Sequence, residues 1–136
     1  SASSSLMRSA GVRTGGTVFK LIGEWYREAA QPGDKMVVMF NPSVKYYSGL
    51  PSNRFFYPGN LKSSTPEALL EELRAKGVTY VVWDNKFRYR HGFEDRLYKI
   101  PLSLLMNNLP KQLELVKKIQ AGTEEASVYW FHPEQL

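Results

Sequence analysis

Apolar residues recur along the chain in two periods, which predict helices alternating with strands. Residues 18–29 carry apolar side chains at helix-face spacing, with charged residues on the opposite face. Residues 36–40 are apolar without interruption, which is typical of a short strand covered on both faces, as in a parallel sheet. Between these segments, Pro32 and Gly33 end the helix and turn the chain.

The later segments repeat this alternation up to the end of the chain. Thr65 and Pro66 predict a helix start, because a hydroxyl caps the helix and proline suits its first position. Gly77 then predicts the helix end. The further predicted elements are a helical turn at 43–48, strands at 55–57 and 79–83, a helix at 102–109, and strands at 113–119 and 127–131 joined by a turn at 122–125.

Strands alternating with helices predict an α/β fold: a three-layer sandwich with helices on both faces of a mixed, mostly parallel sheet. The last two strands predict an antiparallel hairpin at one edge. We expect residues 1–14 to be a flexible linker or a cloning remnant, and residues 15–136 to form a single domain.

The composition limits the chemistry. The chain has no cysteine, which excludes disulfides, thiolate zinc sites and a cysteine nucleophile. A net charge of +5 fits an anionic partner as well as an ordinary basic surface. Neither His91 nor His132 stands at metal-ligand spacing, and no strand precedes the glycines near residue 15, as a dinucleotide loop requires. We therefore predict no catalytic residue, no metal site and no cofactor. The three tryptophans are expected to pack in the core, the alternative being ring edges exposed near a membrane.

A ligand site is expected beyond the carboxyl ends of the parallel strands, where open α/β sheets bind ligands. Tyrosine and arginine side chains there could stack on a sugar and bind a phosphate. Alternatively, Asp84 caps a loop, the tyrosines pack over the sheet edge and the arginines are solvated. The candidate substrate-binding residues are Tyr46, Tyr47, Arg54, Asp84, Arg88 and His91.

Basic and aromatic residues alternate in the loop at 86–91. Such a loop can contact single-stranded nucleic acid or an anionic membrane surface. We favour a nearby membrane surface and predict no nucleic-acid partner.

Several short motifs follow one another between residues 17 and 131 in an order that is known from one protein family. They are Gly23-Glu24-Trp25-Tyr26, Pro32-Gly33-Asp34, Tyr46-Tyr47-Ser48-Gly49, Thr65-Pro66-Glu67 and Lys76-Gly77-Val78-Thr79-Tyr80-Val81-Val82-Trp83-Asp84. With the closing hairpin, this order resembles the soluble C-terminal domain of bacterial multi-spanning GT-C glycosyltransferases, related to protein mannosyltransferases and aminoarabinose transferases.

The resemblance implies a non-catalytic accessory domain on the extracytoplasmic face of a bacterial membrane, periplasmic or outer. Such a domain would cover the active site of the membrane-embedded part of the same polypeptide. It would help to position a glycan acceptor or a polyprenyl-phosphate-sugar donor. The catalytic carboxylates of the family lie in membrane-part loops that match no position here. Two alternatives remain open: a stand-alone module that binds an anionic ligand, such as a phosphorylated glycan or nucleic acid, and an assembly domain without a ligand.

Overall fold

A computed structural model describes residues 17–84 and 100–135. Within these ranges, helices and strands alternate as the sequence predicts. The elements are α1 Thr17–Ala29, β1 Met36–Val37, α2 Pro42–Ser48, β2 Phe55–Phe56, α3 Pro66–Ala75, β3 Tyr80–Asp84, α4 Ile100–Asn107, β4 Leu113–Ala121 and β5 Glu124–Phe131, with 3₁₀ turns at Ser52–Arg54, Pro58–Asn60 and Pro133–Gln135.

The five strands form one sheet in the order β2-β1-β3-β5-β4. β1 is parallel to β2 and to β3, and Val37 pairs with both Phe56 and Val81. β5 is antiparallel to β3 and to β4. The predicted α/β fold is confirmed: a parallel core continues into an antiparallel C-terminal hairpin.

Helices cover both faces of the sheet. The Phe55 ring of β2 packs edge-to-face on Tyr26 of α1, with the ring centroids 5.7 Å apart. The next residue, Phe56, has the Nζ of Lys76, at the end of α3, 5.6 Å from its ring centroid. Because successive strand side chains point to opposite faces, α1 and α3 lie on opposite sides of the sheet.

α1 and α2 approach each other closely at Gly23. A Cβ atom added to this glycine would lie 2.8 Å from the Val44 carbonyl oxygen and 3.0 Å from the Tyr47 Cβ. Glycine is therefore required here for close packing, although it lowers the intrinsic helix propensity of α1. This contact fixes the position of α2 against α1.

The predicted caps of α3 are confirmed. The Thr65 hydroxyl accepts a hydrogen bond of 3.1 Å from the Ala68 amide, and Pro66 occupies the first turn. At the other end, Gly77 adopts a φ of 72°, and the Val78 amide donates to the Leu73 carbonyl over 3.0 Å. This pattern satisfies carbonyls of the last helical turn before the chain enters β3.

Three predictions differ from the structure. The strand expected at 36–40 pairs only over Met36–Val37, although the Val38 amide still donates to the Phe56 carbonyl. β5 begins at Glu124, because the hairpin needs only a two-residue turn, with Gly122 at a φ of 62°. The expectation that every tryptophan packs in the core is wrong for Trp130, which is 45% exposed.

Candidate functional site

The order of the strands creates a crevice at the carboxyl end of β1. From β1 the chain passes through α2 to β2 on one side, and from β2 through α3 to β3 on the other side. In open α/β sheets, ligands bind where the strand order reverses in this way. The predicted site residues follow β1 and β3, and these two strands are neighbours in the sheet, as expected.

An open groove of about 480 Å³ lies at this edge, between the end of β1, α2 and the end of β2. Its lining is mainly aromatic and aliphatic, with one ammonium group. The lining residues are Phe40, Pro42, Lys45, Tyr46, Gly49, Leu50 and Tyr57.

The aromatic side chains of the groove are held in pairs. Phe40 packs edge-to-face on Tyr57 with ring centroids 5.1 Å apart, and Tyr46 packs in the same way on Tyr47 at 4.9 Å. Nevertheless, Phe40 is 60% exposed and Tyr46 is 77% exposed. Burial raises the pKa of Tyr57 above its ordinary value, so this phenol stays neutral near pH 7. The groove therefore presents aromatic ring faces and phenol hydroxyls to solvent.

Local sequence signals at both ends of α2 position the groove residues. The Asn41 side chain accepts a hydrogen bond of 2.9 Å from the Ser43 amide, and Pro42 stands in the first helical turn. At the other end, Gly49 adopts a φ of 69° and its amide donates to the Lys45 carbonyl. Between these caps, Lys45 and Tyr46 are exposed along the groove.

Tyr47 is adjacent to Tyr46 but has a different surrounding. Its half-buried ring lies 5.2 Å from the Nζ of Lys20 on α1, and its Cβ is in contact distance of Gly23. Such a cation–π contact stabilises an exposed site by about 0.5–1 kcal/mol. Tyr47 therefore packs α2 against α1. It does not line the groove, but its ring contacts the ring of Tyr46, which does.

The structure does not bring Arg54 to this edge. Its guanidinium donates to the carbonyls of Asp34 and Gln31, in the turn that precedes β1. Arg54 itself directly precedes β2, so this clamp lies at the amino ends of the strands. Burial raises the pKa of nearby Tyr26 to about 12, although the Arg54 guanidinium acts in the opposite direction. Arg54 thus fixes a turn and does not join the groove.

Asp84 lies at the expected edge, as the last residue of β3. It is 1% exposed and pairs across the sheet with Ala126 of β5. Its carboxyl group is therefore part of the packed sheet end and does not line the groove. Arg88, His91 and the loop at 86–91 lie outside the described residues.

Sequence reasoning missed two aromatic residues of the groove. Phe40 was assigned to a buried strand, and Tyr57 was assigned to the end of another. Each is followed by a proline that ends its segment: Pro58 comes directly after Tyr57, and Pro42 comes two residues after Phe40. An aromatic residue at such a strand end, on the edge where ligands bind, was the available signal.

The arrangement suits binding more than chemical transformation. Aromatic faces accept the apolar face of a ligand, phenols exchange hydrogen bonds, and Lys45 provides one positive charge. Within residues 17–84 and 100–135, no group of three or more potential metal ligands comes together. In the same ranges, no helix has the length and apolar character to cross a bilayer.

No family model, curated protein or solved structure matches this chain.

Proposed function

We propose that this chain is a non-catalytic accessory domain of a polyprenyl-phosphate-sugar-dependent membrane glycosyltransferase. In this role it lies on the extracytoplasmic face of a bacterial membrane and helps the membrane-embedded part of the same polypeptide to position acceptor or donor. The observation that supports the proposal best is the aromatic groove with Lys45 at the carboxyl ends of the neighbouring parallel strands β1 and β2. An α/β fold and the order of the sequence motifs agree with it.

The chemistry of the groove matches this class of ligand. A glycan offers C–H faces that pack on exposed rings such as those of Phe40 and Tyr46, and hydroxyls that pair with phenols. A lipid-linked sugar adds a phosphate, which Lys45 can pair with in the same groove. Since Arg54 is engaged elsewhere, Lys45 replaces it as the cation that we assign to ligand binding.

The decisive experiment is glycosyl transfer by the full-length protein in membranes. Tyr46→Ala removes a ring that is 77% exposed, so folding should be unaffected. We expect the KM for acceptor or donor to rise about 3- to 10-fold, the worth of one aromatic contact, with kcat within about 2-fold of wild type. Tyr46→Phe keeps the ring and loses only the hydroxyl, so its KM should rise less than that of Tyr46→Ala.

Leu104→Ala is the matched control, because Leu104 is an exposed apolar residue of α4 outside the groove. Unchanged KM values for both substrates after Tyr46→Ala would contradict the role of the groove. A complete coding sequence without upstream membrane-spanning segments would contradict the wider proposal.

A second candidate is a stand-alone module that binds an anionic ligand, which Lys45 in the groove and the net charge of +5 favour. Its affinity for a phosphorylated glycan should then fall steeply as salt is added, and Lys45→Gln should reduce that salt dependence. A ligand affinity that is independent of salt would contradict this candidate.

A further inference from the structure

A second exposed aromatic residue, Trp130, stands at the end of β5, away from the groove. It is 45% exposed, whereas the preceding residues on the same face of β5, Ala126 and Val128, are buried. A single exposed apolar side chain is common in folded proteins and needs no function. Trp130 differs because polar side chains are fixed in place beside its ring.

His132 and two glutamates provide these polar side chains. The imidazole stacks on the indole with ring centroids 4.9 Å apart and an angle of 31° between the planes. Its Nε2 lies 2.8 Å from the Glu114 carboxylate, and its Nδ1 lies 3.3 Å from the Glu134 carboxylate. The side chains of the two glutamates are 59% and 64% exposed, respectively. The ring and both carboxylates are thus accessible from solvent.

Backbone pairing holds the cluster rigidly. Glu114 stands directly opposite Trp130 in the β4–β5 ladder, so their side chains lie on the same face. The His132 amide donates a hydrogen bond of 2.7 Å to the Gln112 carbonyl, and the 3₁₀ turn Pro133–Gln135 carries Glu134. Exposed ion pairs contribute only about 0–1 kcal/mol to stability, so the main effect of this network is the orientation of its groups.

We propose that Trp130, His132, Glu114 and Glu134 form a carbohydrate subsite that takes a neutral pyranose. The C–H face of the sugar ring packs on the open face of the indole. Its hydroxyls donate to the carboxylates, each of which can accept about four hydrogen bonds and gives only part of this capacity to His132. A flat protein partner fits less well, because the cores of protein interfaces are depleted of charged residues, and Glu114 and Lys117 stand beside Trp130 in the β4–β5 ladder.

This subsite is independent of the proposed function, since it needs neither the groove nor a membrane-embedded part. The test uses the full 136-residue chain labelled at its three tryptophan indole nitrogens. The NMR probes are methyl glycosides of glucose, galactose, mannose and N-acetylglucosamine, and a tetrasaccharide of each sugar. We expect at least one probe to shift the Trp130 indole signal with a Kd near 1 mM, about 4 kcal/mol of binding free energy. The Trp25 and Trp83 signals should stay unchanged.

Three variants separate the contributions. Trp130→Ala removes the reporter indole, so its binding is followed in uniformly ¹⁵N-labelled protein through the backbone amide signals of Glu114 and His132, and it should be abolished. Glu114→Gln should weaken binding about 5- to 10-fold, because a charged acceptor is lost. Leu104→Ala, at an exposed residue outside both the groove and this cluster, should shift the Trp130 signal as wild type does. Because the signal reports on Trp130 and not on the groove, a failure of this subsite is distinguishable from a failure of the groove. The proposal is overturned if no probe shifts Trp130 at up to about 50 mM, more than tenfold above the expected Kd. It is equally overturned if Trp130→Ala binds normally, or if choline competes better than every sugar.

Discussion

Replacing Gly23 by alanine sets two effects of known sign against each other. In the interior of α1, alanine is intrinsically more favourable than glycine by about 1 kcal/mol. The new methyl group would meet the Val44 carbonyl oxygen at 2.8 Å and the Tyr47 Cβ at 3.0 Å. Neither atom is the end of a flexible side chain, so α2 has to move away from α1.

The clash should outweigh the gain in propensity. Overpacking at a close contact costs about 1–3 kcal/mol or more, because neighbouring groups leave their packed positions. Because the contact at 2.8 Å is with a backbone atom, we place the cost in the upper part of this range, at about 2–3 kcal/mol. Subtraction of the propensity term of about 1 kcal/mol then leaves a decrease of about 1–2 kcal/mol in the free energy of unfolding. For 136 residues this corresponds to a decrease in Tm of about 3–5 °C per kcal/mol.

Urea unfolding monitored by circular dichroism measures this change, and the neighbouring position provides the control. Glu24 is exposed in the same helix, so the difference between Glu24→Ala and Glu24→Gly gives the propensity term alone, about 1 kcal/mol. If Gly23→Ala were as stable as wild type or more stable, the contact between α1 and α2 would be looser than described, and the reasoning would be refuted.

Two further perturbations address the amino edge and the C-terminal cluster. Arg54→Ala leaves the Gln31 and Asp34 carbonyls without their charged donor, so it should lower the free energy of unfolding by about 1–3 kcal/mol. Urea titration measures this loss, and an unchanged stability would show that the two hydrogen bonds are dispensable. The hydrogen bond that the His132 imidazole donates to the Glu114 carboxylate raises the pKa of His132. Its stabilising contribution is therefore complete below about pH 6.5 and is lost as the pH rises through the folded-state pKa. Glu114→Gln should therefore be less stable than wild type at about pH 5.5 and nearly equal at about pH 8.5, and a constant difference across this range would contradict the assignment.

The parts of the fold that local signals control could be predicted from the sequence. Thr65 and Pro66 begin α3 and Gly77 ends it, because each residue satisfies a requirement of the helix end by itself. The apolar runs around Val37 and Val81 predict parallel neighbours, since a strand buried on both faces needs no polar alternation. Such features depend on few residues close together in the chain.

The candidate site could be predicted only in part, because it depends on which segments meet in space. The sequence predicts Tyr46 at the carboxyl edge of the parallel strands, and the structure places its side chain along the groove at that edge. It could not show that Arg54 turns back to the opposite edge, since its acceptors lie about twenty residues earlier in the chain. Likewise, Phe40 and Trp130 have the composition of core residues, and only the packing around them decides their exposure.

The hydrogen bonds that join the starts of the three parallel strands have a consequence for how this domain can change. Asp34 accepts from the Thr79 hydroxyl over 3.1 Å, while Arg54 holds the same turn from the other side. Strand register is thus secured at the rim that faces away from the groove. Substitutions and insertions around Tyr46 should therefore alter the groove without unfolding the sheet. The groove side of the sheet is thus the place where ligand specificity can be redesigned.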